Sequence, residues 1–163
     1  MSDTPRVYVV CIESDGEHGA WVDAVDADDL EEGIQDMIEA SPAEDAEEWE
    51  IQGSENFYDL TLETASLALI ADLGRLVEEY GEPYAAFADN EGIEHADENR
   101  FNECYQGEWS SETAFAEHIF DECIEVPAAA AGYIDYDSYA NDLFMGDYYS
   151  IVTSGGVYVY QNM

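Results

Sequence analysis

The sequence predicts an α+β fold built as three small modules in a row, drawn out rather than spherical. Three observations lead there. β-Branched and aromatic runs with strand character lie towards both ends of the chain, whereas the middle carries only helical spacing. Turn and breaker residues divide the 163 residues into short pieces, a length that suits one ordinary domain or two to three very small ones. Forty Asp plus Glu stand against three Lys plus Arg, a net charge of −37, and self-repulsion of that size opposes a compact globule.

The first module, residues 1–60, reads as a β-β-α-β unit. Arg6–Ile12 (RVYVVCI) is a buried strand. Ser14–Gly19 is loop chemistry, and Ala20–Ala24, with Trp21 and Val22, is the returning strand of a hairpin. Asp26 stands where an N-cap belongs. Leu30, Ile34, Met37 and Ile38 then recur at i, i+4, i+7 and i+8, one apolar helix face, ending near Ala40 before Ser41-Pro42. Trp49 and Ile51 alternate with Glu48 and Glu50, giving a third strand over Glu48–Gln52.

Residues 61–106 form a mostly-α middle. Thr61 is the expected cap of a long helix carrying Leu62, Ala65, Leu69, Leu73, Leu76, Val77 and Tyr80, ended by Gly81. A short helix over Pro83–Ala88, a turn over Asp89–Gly92 and a helix from about Asp97 to Tyr105 follow. Residues 107–163 form an α+β module that opens at the break of Gly107. Ser110 or Ser111 caps a helix with Phe115, Ile119 and Cys123 inward. A helix around Ser138–Met145 precedes a hairpin, Tyr148–Thr153 and Val157–Tyr160, turned by Ser154-Gly155-Gly156. The tyrosines of this third suit core and interface positions. Tyr133, Tyr136, Tyr139 and Phe144 are the candidates for a dimer interface.

Composition excludes several function classes. Hydrophobic content of 47% and aromatic content of 13% are enough for a core, unlike a disordered acidic tail. Lys is absent, and the basic residues are Arg6, Arg75 and Arg100. Direct binding to nucleic acid or to an anionic membrane is excluded, because phosphates are held by Lys and Arg. The natural partner is a basic surface. The polar N-terminus shows no signal peptide, and no apolar run approaches the roughly 20 residues of a membrane span, so a cytoplasmic protein is expected. Cys11, Cys104 and Cys123 read as reduced thiols.

No motif supports catalysis. Carboxylate pairs arise by chance everywhere in so acidic a chain. Read as a calcium loop from Asp26, the sequence places Leu30 and Glu31 where a ligand and a Gly belong. Starts at Asp135 and Asp89 fail at Tyr139 and Ala140 and at Ile93 and Glu94. His18, His95 and His118 are scattered and carry no H-E-x-x-H, and there is no P-loop or G-x-S-x-G. No enzyme activity, metal or cofactor is expected.

The carboxylates themselves are the candidate site. Asp28, Glu32, Asp36 and Glu39 make a stripe at i, i+4, i+8 and i+11, opposite the apolar face. Glu117, Asp121 and Glu125 make a second at i, i+4 and i+8. Like charges four apart on a helix cost roughly 0.2–0.5 kcal/mol per pair, and no Lys is interleaved to relieve them. They lie about 6 Å apart along the axis, from the 1.5 Å rise, a phosphate-like spacing. At the duplex density of about one charge per 1.7 Å, a charge of −37 would cover roughly 63 Å, or 18–19 base pairs. A compact globule of this length would be only about 40 Å across. The inference is a protein that presents itself as DNA to a DNA-binding cleft. The expected contacts are Asp26, Asp28, Asp29, Glu31, Glu32, Asp36, Glu39, Glu44, Asp45, Glu47 and Glu48, then Glu78, Glu79 and Glu82, then Glu112, Glu117, Asp121, Glu122 and Glu125.

An ordered set of segments also carries a resemblance. RVYV at Arg6–Val9, WVDA at Trp21–Ala24, DLEEGIQDMI at Asp29–Ile38, LVEEYGEPYAAFAD at Leu76–Asp89, YQGEW at Tyr105–Trp109, IDYDSYANDLFMGDYYS at Ile134–Ser150 and GGVYVY at Gly155–Tyr160 resemble the ArdA antirestriction proteins. The resemblance implies a DNA mimic carried on mobile genetic elements such as plasmids and conjugative transposons. Its partners would be the methyltransferase and specificity subunits of type I restriction–modification enzymes, whose cleft it would occupy to protect incoming DNA. It also implies three small domains and an elongated homodimer formed through the third. Pro83 and Val126–Ala131 depart from the family pattern, and no role is carried onto them. Two other classes share the composition: a surface-adapted protein of a salt-accumulating halophile, and an acidic chaperone of basic DNA-binding proteins. A low-affinity calcium buffer lacks a motif.

Overall fold

The computed structural model describes residues 4–14, 17–43, 46–62 and 65–162. It is a mixed α+β structure with six helices, six strands and two three-stranded antiparallel sheets among these residues. The chain divides into two compact units, Met1–Glu98 and Asn99–Met163.

In the first unit β1 (Arg6–Cys11) is the central strand, with β2 (Gly19–Asp23) and β3 (Trp49–Glu55) on either side in the order β2-β1-β3. α1 (Ala27–Glu39) packs on β2 and β1. It forms where the sequence places it, because its signals are local. The Asp26 carboxylate accepts the N–H of Asp28 (2.9 Å) and of Asp29 (3.1 Å), and Leu30, Ile34 and Met37 are buried beneath it. Val7, Val9, Val22 and Ala24 complete the sheet side of this core.

α2 (Leu67–Tyr80) starts later than expected. Ser66, not Thr61, caps it, accepting the Leu69 N–H at 3.2 Å. Before it, Asn56 and Tyr58 take positive φ angles (64° and 59°), and the turn they make buries Phe57 and Leu60. Leu62 is buried as part of that loop rather than as a helical residue. α2 packs against α1, and its Gly74 lies against the chain that joins β2 to α1: a Cβ there would overlap the Ala24 carbonyl oxygen. α3 (Glu82–Glu91) runs through the expected turn at Asp89 and ends at Gly92 (φ 95°). The Tyr80 hydroxyl donates to Glu98 at 2.8 Å.

The second unit contains a strand that sequence reading misses. α4 (Glu98–Cys104) leads directly into β4 (Tyr105–Trp109), where a helix end and a break at Gly107 are expected. Gly107 does not stop the chain. It takes φ 100° inside the strand, where the pairing of β4 shifts register. β4 pairs with β6 (Val157–Gln161), which also pairs with β5 (Tyr148–Val152), so the expected hairpin becomes a sheet of order β4-β6-β5. α5 (Glu112–Cys123), capped by Ser111, packs on α6 (Tyr136–Leu143), capped by Asp135. Aromatic rings fill the interior: Phe101 on Tyr105 at 5.0 Å, Tyr149 on Tyr160 at 5.0 Å and Phe115 on Tyr148 at 5.0 Å. Cys123, expected inward, is exposed at the last turn of α5. Among the described residues no helix is long and apolar enough to cross a membrane.

Candidate functional site

The acidic side chains are held outward by the same periodicity that buries their apolar neighbours. On α1, Asp28, Asp29, Glu31, Glu32, Asp36 and Glu39 are all exposed. Asp26 is exposed too, but its carboxylate is committed to capping the helix. Glu44 and Asp45 lie outside the described residues. Glu47 and Glu48 are exposed just ahead of β3. Glu78 and Glu79 project from the last turn of α2, and Glu82 from the first turn of α3.

On α5, Glu117, Asp121 and Glu122 are exposed, with Glu122 at 3.3 Å from the His118 imidazole. The second stripe is shorter than its spacing suggests. α5 ends at Cys123, and Glu125 lies beyond it in extended chain, because Ile124 adopts β geometry (φ −129°, ψ 124°). Glu112 is half-buried and accepts a hydrogen bond from the Ser150 hydroxyl. Among the four aromatic candidates for a dimer surface, Tyr133 is 89% exposed. Tyr136 and Tyr139 meet Phe120 edge-on at 5.6 and 5.4 Å, and Phe144 meets Phe115 at 5.9 Å.

One carboxylate that sequence reading passes over has a defined task. Glu13, in the short turn after β1, accepts the backbone N–H groups of Glu47 and Glu48, both at 3.1 Å, and the Cys11 thiol at 3.2 Å. Alongside, the Ile12 N–H donates to the Glu48 carbonyl. This clasp fixes the chain that presents Glu47 and Glu48. The Glu13 carboxyl is held below its ordinary value by its own backbone N–H first, and then by those of Glu48 and Glu47 and the thiol, against partial desolvation. No local signal announces it, since its partners are 34 and 35 residues away. Asp135 is lowered in the same way by the Ser138 N–H and hydroxyl.

No described carboxylate is buried. Arg6 is bound to Glu55 (2.6 Å) and lies 5.0 Å over the Trp21 ring, and Arg75 reaches Glu98 at 4.0 Å. Three arginines cannot neutralise forty carboxylates. Among the described residues no group of three His, Cys, Asp or Glu side chains is arranged to hold a metal ion.

The family model for the antirestriction protein ArdA matches residues 7–158. The chain belongs to the ArdA family. Its function is therefore antirestriction, exerted at the level of restriction enzymes. A comparison with curated proteins finds no match.

In this ArdA protein the first turns of α1, α3, α4, α5 and α6 carry acids where the helix dipole favours them, but the last turns carry acids where it does not. A helix C-terminus favours cations, each worth about 0.3–1 kcal/mol. Among the described residues no α-helix has a basic residue in its last turn. Asp36 and Glu39 close α1, Glu78 and Glu79 close α2, and Asp121 and Glu122 close α5. The fold carries these carboxylates where they oppose it.

Proposed function

We propose that this ArdA protein inhibits type I restriction–modification enzymes by presenting its carboxylates in place of DNA phosphates. One observation carries the reading: every described carboxylate is at least partly solvent-exposed, and α1, α2 and α5 carry exposed carboxylates in their last turns, where the helix dipole disfavours them. The carboxylates engage Lys and Arg lining the DNA cleft of the methyltransferase and specificity subunits, and DNA is excluded by competition. No turnover and no cofactor enter the mechanism. Exposed ion pairs are worth about 0.2–1 kcal/mol each, so the energy is spread over many of them. Inhibition is lost by removing several charges, not one. A homodimer joined through the C-terminal module, with Tyr133, Tyr136, Tyr139 and Phe144 near the contact, would double the length of mimicked duplex. Tyr133 fits such a contact best, because its ring is open to solvent.

The test is displacement. A type I methyltransferase core is held on a labelled recognition duplex, and the protein is titrated in at low and high salt. Release of DNA at near-stoichiometric protein, weaker as salt shortens the screening length to about 8 Å or less, is the expected result. Absence of displacement at both salt concentrations would overturn the proposal.

A further inference from the structure

The first sheet has an open edge, and that edge borders a groove. β2 pairs only with β1 among the described residues. The register Val7↔Val22 and Val9↔Ala20, with Cys11 N–H bonded to His18 O and Ala24 N–H to Pro5 O, shows which peptide groups face β1. They are those of His18, Ala20, Val22 and Ala24. In an antiparallel ladder the alternate residues point the other way. The N–H and C=O groups of Gly19, Trp21 and Asp23 are therefore directed at the open side. A groove of about 570 Å³ runs between this strand and α1, lined by Trp21, Asp23, Asp29, Asp36 and Met37 among others.

Natural proteins blunt such an edge with Lys, Pro or a bulge. β2, GAWVD, has no Lys or Pro, and its pairing with β1 runs without a register shift. Trp21 stands 42% exposed beside the edge. A second copy of this chain is a poor occupant, because it would bring another Asp23, Asp29 and Asp36 against the first set. A chain with arginine or lysine side chains is a good one. Its backbone would find three donor–acceptor positions, and its side chains would alternate between the α1 carboxylates and the indole of Trp21.

We propose that β2 takes up an extended, arginine- or lysine-bearing segment of the target enzyme as a fourth strand of the β2-β1-β3 sheet. The inference rests on the proposed function, in which the target is a basic DNA-binding enzyme, and adds to it a main-chain contact that DNA itself cannot offer. It separates two parts of the binding: carboxylate contacts that salt weakens, and ladder bonds that it does not.

The experiment is residue-resolved amide exchange on the full chain, alone and with a type I methyltransferase core of methyltransferase and specificity subunits. Exchange at Trp21 and Asp23 is expected to slow by about tenfold or more on binding, as for newly bonded strand amides. Ala20 and Val22, already bonded to β1, change less. Asp23→Pro removes an outward donor without breaking a β1–β2 bond. It is expected to weaken binding by about tenfold, while Asp23→Asn, which keeps the donor, stays within about twofold. Tight binding with no slowing at Trp21 and Asp23 overturns this proposal and leaves the proposed function intact. Failure to bind the core at all overturns both. Slowing that grows with the concentration of the chain alone assigns the edge to a second copy and overturns the proposal. The exchange measurement decides the matter even where Asp23→Pro fails to fold.

Discussion

Neutralising the α1 stripe should make this protein more stable and less active at once. The variant is Asp28→Asn, Glu32→Gln, Asp36→Asn and Glu39→Gln, which takes the net charge from −37 to −33. All four side chains are exposed and none caps the helix, so packing and the Asp26 cap survive. Five like-charge contacts vanish, 28 with 31, 28 with 32, 29 with 32, 32 with 36 and 36 with 39, worth about 0.2–0.5 kcal/mol each. Asp36 and Glu39 also stop opposing the helix dipole, while Asp28 in the first turn stops favouring it. The balance is one unfavourable dipole contact removed, about 0.3–1 kcal/mol. The sum, discounted for solvent and salt, is about 1–2 kcal/mol of added stability, and for a chain of this size a Tm higher by roughly 2–8 °C. Four exposed ion pairs with the target are lost meanwhile, about 1–4 kcal/mol in all, so binding should weaken fivefold or more. Calorimetry and displacement of a methyltransferase core from labelled duplex read the two effects on one sample. A variant that melts earlier, or one that displaces DNA as well as the parent, would refute the reasoning that these charges serve a partner at the expense of the fold.

Other outcomes follow from the same structure. Raising the salt from about 0.05 to 0.5 M should raise the Tm of the parent and should do so less for the neutralised variant, because the Debye length falls below the spacing of the carboxylates. Calorimetry at matched pH checks it, and a flat profile would contradict the repulsion argument. Gly74→Ala drives a Cβ into the Ala24 carbonyl and should cost about 1–3 kcal/mol in urea unfolding, as overpacking does. Glu13→Gln should destabilise the Glu47–Glu48 clasp at neutral pH. The folded pKa of Glu13 is lowered, so its contribution is complete above the ordinary value of 4.5 and is lost as pH falls through the folded value. The stability gap between parent and Glu13→Gln should therefore close in acid, which denaturant titration at the two pH values measures.

Much of the fold is legible in the sequence wherever its cause is local. Asp26 with Leu30, Ile34 and Met37 specifies α1 within one stretch of chain, and Ser111 specifies α5 in the same way. The exposure of the acidic stripe follows from that, because the helical period that buries one face turns the other outward. Membership in the ArdA family is likewise a matter of ordered residues.

Elsewhere the deciding contacts are distant. Thr61 and Ser66 are both favourable caps by type, and α2 begins after Ser66 while the chain before it turns to bury Phe57 and Leu60. YQGEW carries a Gly that locally reads as a break, yet it is a strand, because β6, from Val157 onwards, pairs with it. Glu13 resembles any other surface glutamate until β3 brings Glu47 and Glu48 against it. The open edge of β2 belongs to the same class, since only the sheet order decides which strand is left with one neighbour. The sequence alone determines the charge, the helix faces and the family, because each depends on residues within a few turns or on an ordered pattern. Only the tertiary structure decides which loops bend, which strands pair and which carboxylates are spent on the protein's own backbone, because those depend on groups that meet only after folding.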